Sequence, residues 1–311
     1  MVATTEQINL HTLLSQLFLL QSIPTYLLLR YIIIAPFGRH VTKQTRWWFG
    51  PLLNAKLSWF LFEIPNLIWV WYCYWHWCDP DIFYLDSPPN QQMRSVISIE
   101  GNNMQISTNA ILLSLFALHY INRAIIYPLQ MNINSQRVPL IVSLCAGIIT
   151  CWNGFIQTFY LVQVQSFSPI SLTLSSILDN IQCWIGICIF FIGMGINIKS
   201  DSVLRNLRKD NQQKKKQQKQ KDTTAIDNQQ HKYYIPFSPL FTYISCPNHA
   251  GEILEWFGFS IASNFSLPTI AFFIYSSSNL IPRAIAHHEW YKNKFDDYPK
   301  ERRWAVIPFA A

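Results

Sequence analysis

Apolar runs of about 20 residues recur along this chain, the length a bilayer-spanning helix needs. Only 13% of the residues are charged and half are hydrophobic, so a water-soluble surface is not on offer. The chain therefore reads as an all-α integral membrane protein, a single membrane domain over residues 1–311. Candidate spans are about 12–35, 52–75, 108–128, 138–164, 180–198, 252–264 and 267–284. The last two are separated by Asn264 and Pro268, which punctuate what would otherwise be one long helix. No basic n-region precedes the first apolar run, so that span is expected to act as its own insertion signal.

Loop charges set the expected topology. The first loop carries Arg39, Lys43 and Arg46. The second carries Asp79, Asp81, Asp86 and Glu100 against a single Arg94. The third has Arg137 near Arg123, and the fourth, Gln165–Asp179, has no basic residue. The fifth has Arg205, Arg208 and Lys209, and the tail is again basic with Lys292, Lys294, Lys300, Arg302 and Arg303. Two spans must separate the fifth loop from the tail, which makes a seven-transmembrane helix bundle. Its N-terminus is luminal and its C-terminus cytosolic. The Lys/Gln-rich stretch within residues 210–232 is expected to be a low-complexity cytosolic loop. No folded basic domain accompanies it, so nucleic acid is not the expected partner.

The seven cysteines lie mostly within apolar runs and form no CxxC, so they read as small core residues. His287-His288 lacks a third ligand nearby, so no metal site is expected. Gly193-Met-Gly195 lies inside a span without a third glycine, which rejects a Rossmann fingerprint.

Polar residues instead recur at helical spacing in the C-terminal half. Asn197, Asp201, Arg205 and Arg208 step by 4, 4 and 3; Asn248, Glu252 and Glu255 by 4 and 3; Arg283, His287 and Tyr291 by 4 and 4. Such steps share one helix face. Groups of this kind at the ends of apolar helices are costly unless paired or ligand-bound. Together they suggest a pocket for a large, polar, anionic ligand at the cytosolic membrane face. Further in, Glu63 stands in Trp59-Phe-Leu-Phe-Glu63-Ile-Pro65, inside the second span. A carboxyl there is expected to be protonated or hydrogen-bonded, and a neutral acid can stabilise charge developing on a carbonyl oxygen. His119, Tyr120 and Arg123 are expected on one side of the third span. Tyr120 is a second candidate donor, and Arg123 a candidate phosphate or carboxylate partner.

At these residues the sequence resembles the steroid 5-alpha-reductase family. The likeness runs along Ile196-Asn-Ile-Lys-Ser-Asp201 to Lys209, Tyr243-Ile-Ser-Cys-Pro-Asn248-His-Ala-Gly-Glu252 to Trp256, and Arg283-Ala-Ile-Ala-His287-His-Glu-Trp-Tyr291. It continues through Lys294–Lys300 and Ile307-Pro-Phe309, and upstream in Phe62-Glu63-Ile-Pro65 and His119-Tyr120-Ile-Asn-Arg123. The C-terminal third is common to a wider superfamily that holds trans-2-enoyl-CoA and polyprenol reductases. Glu63 and His119-Tyr120 favour the steroid branch. The resemblance implies a multi-pass enzyme of the endoplasmic reticulum membrane that uses NADPH. It would reduce the carbon–carbon double bond of a 4-ene-3-ketosteroid or similar lipid enone. By this likeness Glu63 and Tyr120 are catalytic. Asn197, Asp201, Arg205, Arg208, Asn248, Glu252, Arg283, His287, Tyr291 and Arg123 bind the cofactor. Residues 235–241 lack the family's usual glycine-containing turn, His249 replaces a more usual aromatic, and the first 50 residues match only loosely.

Overall fold

The computed structural model describes residues 3–36, 40–41, 48–77, 97–100, 103–132, 137–165, 167, 169–171, 173–221, 234–299 and 303–306; side chains at 76–77, 97–105, 174 and 208–221 are outside the description. The chain opens with α1, Thr5–Leu20, capped by the Thr4 hydroxyl on the Gln7 amide in a reciprocal capping box. Helix α2, Ser22–Leu27, and a π-turn at Leu28–Ile32 extend it. Helix α3, Ala55–Trp77, carries Glu63 and, two residues on, Pro65. Helix α4, Thr108–Tyr120, passes into a π-helical segment, Ile121–Ile126, and then α5, Tyr127–Gln130. Helix α6 runs Leu140–Phe159 with a π-turn to Val164. After the short α7, Leu174–Asp179, come α8, Ile181–Lys221, α9, Pro247–Ala262, and α10, Leu267–Lys294.

Four of these units are long and apolar enough to cross a membrane: Thr5–Ile32, Thr108–Gln130, Leu140–Val164 and Ile181–Leu207. Many large apolar side chains on them face outward, among them Ile32, Ile148 and Ile192. In water that would be a liability; against lipid it is the expected exterior.

Two departures from the expected all-α chain stand out. Short strands are present: β1, Leu52–Leu53, lies antiparallel to β4, Val138–Pro139, while β2, Ile97–Glu100, β3, Asn103–Ile106, and β5, Ile170–Ser171, form a small antiparallel sheet. They tie together connections between helices. The second departure is at the Lys/Gln-rich tract, where a loop was expected from residue 210. Helix α8 instead continues through Asn211–Lys221. Lys and Gln are good helix formers, and extending an existing helix avoids the cost of nucleation. Residues 222–232 of that expected loop lie outside the described residues. The expected sixth span, 252–264, also begins a turn earlier, at Pro247, and ends where Asn264 and Phe265 adopt positive φ of 55° and 53°. That turn, not Pro268 alone, separates α9 from α10.

Two helix pairs dominate the packing: α3 on α6, and α8 on α9. In the second pair, antiparallel glycines let the backbones touch. A Cβ on Gly193 would lie 2.4 Å from the Glu255 nitrogen, and one on Gly251 would lie 2.6 Å from the Asn197 nitrogen. Gly186 and Gly258 repeat the arrangement one heptad away. Any side chain there would force the helices apart. The approach brings the polar ends of α8 and α9 into register. The α3–α6 pair is close as well: a Cβ on Gly154 would meet the Asn66 Cα at 3.0 Å. Between the pairs lies an aromatic core of Phe116, Tyr120, Phe190, Trp256, Phe259 and Phe272.

Candidate active site

The middle of α8 and the N-terminal end of α9 form an amide–carboxylate lattice. Asn197 donates from Nδ2 to the Asn248 carbonyl at 3.0 Å and to Glu252 Oε2 at 3.2 Å. Asn248 Nδ2 donates to Asp201 Oδ1 at 3.2 Å. The two polar rows expected on separate helix faces thus interlock across the glycine contact. Arg123 enters this lattice from the π-helical segment after α4. Its guanidinium pairs with Asp201 at 3.4 Å, Glu252 at 3.6 Å and Glu63 at 3.9 Å. One cation therefore joins carboxyls from α3, α8 and α9. Its plane also rests near Trp59 and Tyr127, at 5.0 and 5.2 Å from the ring centres. Of the two roles open to Arg123 from sequence, phosphate partner or carboxylate partner, its present neighbours are carboxylates.

His119, Tyr120 and Arg123, expected on one side of a helix, diverge to three neighbours. The π-helical turn beginning at Ile121 changes the residue spacing and sends Arg123 to the acids. His119 Nδ1 meets Glu255 Oε1 at 2.8 Å on α9, with its ring beside Trp256. Tyr120, buried at 2% exposure, turns to α6, where its hydroxyl accepts from Asn153 Nδ2 at 3.1 Å. Asn153 also donates to Asn66 Oδ1 at 3.2 Å, and Gln157 Nε2 donates to Asn153 Oδ1 at 3.3 Å. Asn66, Asn153 and Gln157 are fully buried, and sequence reasoning missed all three. The available signal was Asn153 and Gln157 at an i,i+4 step within an apolar span.

The third polar row divides. Arg283 and His287 line a concavity with Leu29, Ile34, Ala35, His40, Pro282 and Ala286. His287 Nδ1 meets His40 Nε2 at 3.1 Å, with the rings stacked 5.0 Å apart, and Arg283 Nη1 donates to Asn279. Tyr291 is not part of this group. It is buried in a separate cluster with Ile235 and Tyr298, stacked on Tyr298 at 5.5 Å. Arg205 lies over Tyr127, with the guanidinium 5.5 Å from the ring centre. The Arg208 side chain lies outside the described residues.

Behind the site, Ser245 Oγ contacts His288 Nδ1 at 2.7 Å and the Tyr298 hydroxyl. Burial and the nearby Lys292 hold His288 below the usual histidine range, while burial raises Tyr298. The C-terminal segment is fastened here: Ser245 and Cys246 amides donate to the Trp304 and Ala305 carbonyls.

The donor set suits a dinucleotide. Amides and carboxylates match a carboxamide and ribose hydroxyls, and guanidinium groups match phosphates. The buried Nδ1 of His249, beside this lattice, has no hydrogen-bond partner among the described residues.

Comparison with known proteins bears on the same region. The family model described as 3-oxo-5-alpha-steroid 4-dehydrogenase matches residues 136–310. The 3-oxo-5-alpha-steroid 4-dehydrogenase 1 of Rattus norvegicus is 32% identical over 276 residues, covering 88% of this chain and 86% of the relative. The steroid 5-alpha-reductase DET2 of Gossypium hirsutum is 31% identical over 314 residues, with 98% of each chain covered. The 3-oxo-5-alpha-steroid 4-dehydrogenase 2 of Macaca fascicularis is 33% identical over 258 residues, covering 83% and 81%.

Proposed function

The chain belongs to the 3-oxo-5-alpha-steroid 4-dehydrogenase family, oxidoreductases that act on the CH–CH group of steroids, and on that premise we propose that it reduces the double bond of a 4-ene-3-ketosteroid or similar lipid enone with NADPH. One observation carries the reading: the Arg123 cluster joins Glu63 in the membrane to the amide–carboxylate lattice at its edge. Reacting groups and cofactor-binding groups so adjoin one another.

NADPH, when bound, supplies a hydride to the β-carbon of the enone. Charge then builds on the ketone oxygen as an enolate, and a proton completes the product at the α-carbon. Tyr120 and protonated Glu63 donate hydrogen bonds to the oxygen, as an oxyanion hole does. Asn197, Asp201, Asn248 and Glu252 would hold the cofactor's amide and sugars. Arg205, Arg208 and Arg283 would hold its phosphates, and His287 would line the same pocket. Tyr291, packed among Trp290, Phe295 and Tyr298, would border that pocket from its own cluster. Arg123 keeps the Asp201 and Glu252 carboxylates and the Glu63 carboxyl in place.

In this reading the protein is a multi-pass enzyme of the endoplasmic reticulum with seven spans, a luminal N-terminus and a cytosolic C-terminus. Residues 1–311 form one membrane domain, and the Lys/Gln-rich segment is cytosolic. The test is NADPH consumption by membranes containing the protein, with a 4-ene-3-ketosteroid, a trans-2-enoyl-CoA and a polyprenol-type lipid offered separately. Reduction of the steroid, lost in Glu63→Gln, is expected. Activity with the enoyl-CoA or polyprenol alone overturns the substrate, and no reduction with no NADPH binding overturns the enzyme reading.

A further inference from the structure

The Tyr120 hydroxyl can accept a hydrogen bond, donate one, or both, and only a donating hydrogen helps a developing enolate. Which way it points is decided by neighbours with no choice of role. The Pro268 carbonyl can only accept, so the Gln157 atom 2.7 Å from it must be Nε2. That same nitrogen lies 3.3 Å from Asn153, which must therefore present Oδ1 to it. The other end of the Asn153 amide is then Nδ2, and it faces Tyr120 at 3.1 Å and Asn66 at 3.2 Å.

The opposite end of the chain gives the same orientation. The Glu63 carbonyl, also an obligate acceptor, lies 3.5 Å from Asn66 Nδ2, which turns Asn66 Oδ1 towards Asn153. Two backbone carbonyls, one on α10 and one on α3, thus orient three amides in a single direction. Gln157 Oε1 is left buried without a partner among the described residues. Flipping that amide would satisfy nothing, because an oxygen would then face two acceptors. Leaving a buried acceptor unpaired costs about 1–3 kcal/mol. The orientation is kept in spite of that.

We propose that Gln157, Asn153 and Asn66 are positioning residues that force Tyr120 to accept from the protein, so that its own hydrogen is kept for the substrate's ketone oxygen. The inference rests on the reading of Tyr120 as a donor to an enone. Among the described residues Asn153 is the only hydrogen-bond partner of the Tyr120 hydroxyl, which leaves that hydrogen uncommitted. The phenol is also wedged by ring contacts with Phe116 and Trp256, so it has little freedom to turn away.

The decisive substitution is Asn153→Asp. It keeps the size of the side chain but replaces the donor facing Tyr120 with an acceptor, which captures the phenolic hydrogen. Asn153→Ala removes more contacts yet leaves that hydrogen free. The expected order of turnover is therefore wild type, then Asn153→Ala, then Asn153→Asp. The aspartate variant should fall by about 100-fold, the loss usual for one oxyanion donor, with KM for NADPH unchanged. A second readout needs no turnover. The ultraviolet band of a bound 4-ene-3-ketosteroid shifts to longer wavelength when its oxygen receives a hydrogen bond. The shift should be present in wild type and reduced in Asn153→Asp. In a Tyr120→Phe background the Asn153→Asp change should have no further effect on it. If the aspartate variant does not fold, the double variant Asn66→Leu/Gln157→Leu, which removes both anchors and frees the Asn153 amide to turn, should lower kcat and the shift with KM unchanged. Asn153→Ala as damaging as Asn153→Asp, or an undiminished shift in Asn153→Asp or in Asn66→Leu/Gln157→Leu, overturns the positioning role while leaving the enzyme reading intact. A wild-type protein that neither binds nor reduces the steroid overturns both.

Discussion

Glu63 is a single carboxyl in an apolar helix, yet it contacts the guanidinium that links three elements. Glu63→Gln keeps the shape and removes the acid. Turnover of a steroid enone is expected to drop by about 100-fold, comparable to losing one oxyanion-hole donor, with NADPH affinity retained. Kinetics alongside a direct nucleotide-binding titration checks this, and lost NADPH binding in the variant would refute the assignment. Arg123→Met should do more. It leaves carboxyls on three helices without their shared cation, and removing one partner of a buried ionic cluster costs about 3–5 kcal/mol. Thermal unfolding in detergent should show the loss directly. His288 gives a pH signature beyond the expected seventh span, 267–284. It holds its proton less tightly folded than unfolded, where its value is 6.5. Its contribution to stability is thus complete above that value and is lost as pH falls through the lower folded value. Stability measured down to about pH 5 should decline less in His288→Gln than in wild type. An unchanged slope would remove His288 as the cause. Glu63, Tyr120 and the rows on α8 and α9 were all legible in the sequence, because charge and helical spacing inside apolar runs are visible there. The Asn66–Asn153–Gln157 relay was not. Which amides meet depends on how closely α3 and α6 approach, and no local pattern encodes that.

Helices α8 and α9 show how little side chain can do a great deal. Gly193 and Gly251 are needed for backbone contact, whereas Gly195, one turn face away, has nothing within 4 Å of a built Cβ. The contrast makes a clean experiment. Gly193→Ala should destabilise by about 1–3 kcal/mol through overpacking and loosen the Asn197–Glu252 contact. Gly195→Ala should be neutral or stabilising by about 0.5–1 kcal/mol, since alanine is the better helix former. Melting temperature together with NADPH affinity separates the two; equal behaviour would mean the glycine contact does not set the site. In the sequence Gly193 and Gly195 stand out only as a nucleotide loop that lacks its third glycine. Their role became readable once the partner helix supplied Gly251 and Gly258 at the matching seven-residue interval. The continuation of α8 to Lys221 was hidden for the opposite reason: low-complexity composition signals disorder, but a helix already formed extends cheaply through Lys and Gln.

Apolar length and loop charge predict seven spans. Four units are apolar enough to span on their own, while α3, α9 and α10 carry the polar and aromatic residues the site requires. The order of helices is thus legible in the sequence, but the pairing of α3 with α6 and of α8 with α9 is not, because helices joined by long connections have no local signal for their neighbours. Glycosylation acceptor tags test the topology: a tag before Thr5 should be modified and one after the C-terminus should not, and the reverse pattern would invert the orientation. Helix α8 has 41 residues and so extends about 61 Å, twice the hydrocarbon thickness of about 30 Å. It bears Asn197 and Asp201 near its middle, bound to α9 through contacts that leave no slack. A stiff rod seated on such a fulcrum transmits displacement. A tilt of about 5° at the pivot moves a tip some 30 Å away by roughly 3 Å, and the converse holds too. Anything that grips the C-terminal half of α8 is therefore mechanically geared to the Asp201 and Glu252 carboxylates at its pivot.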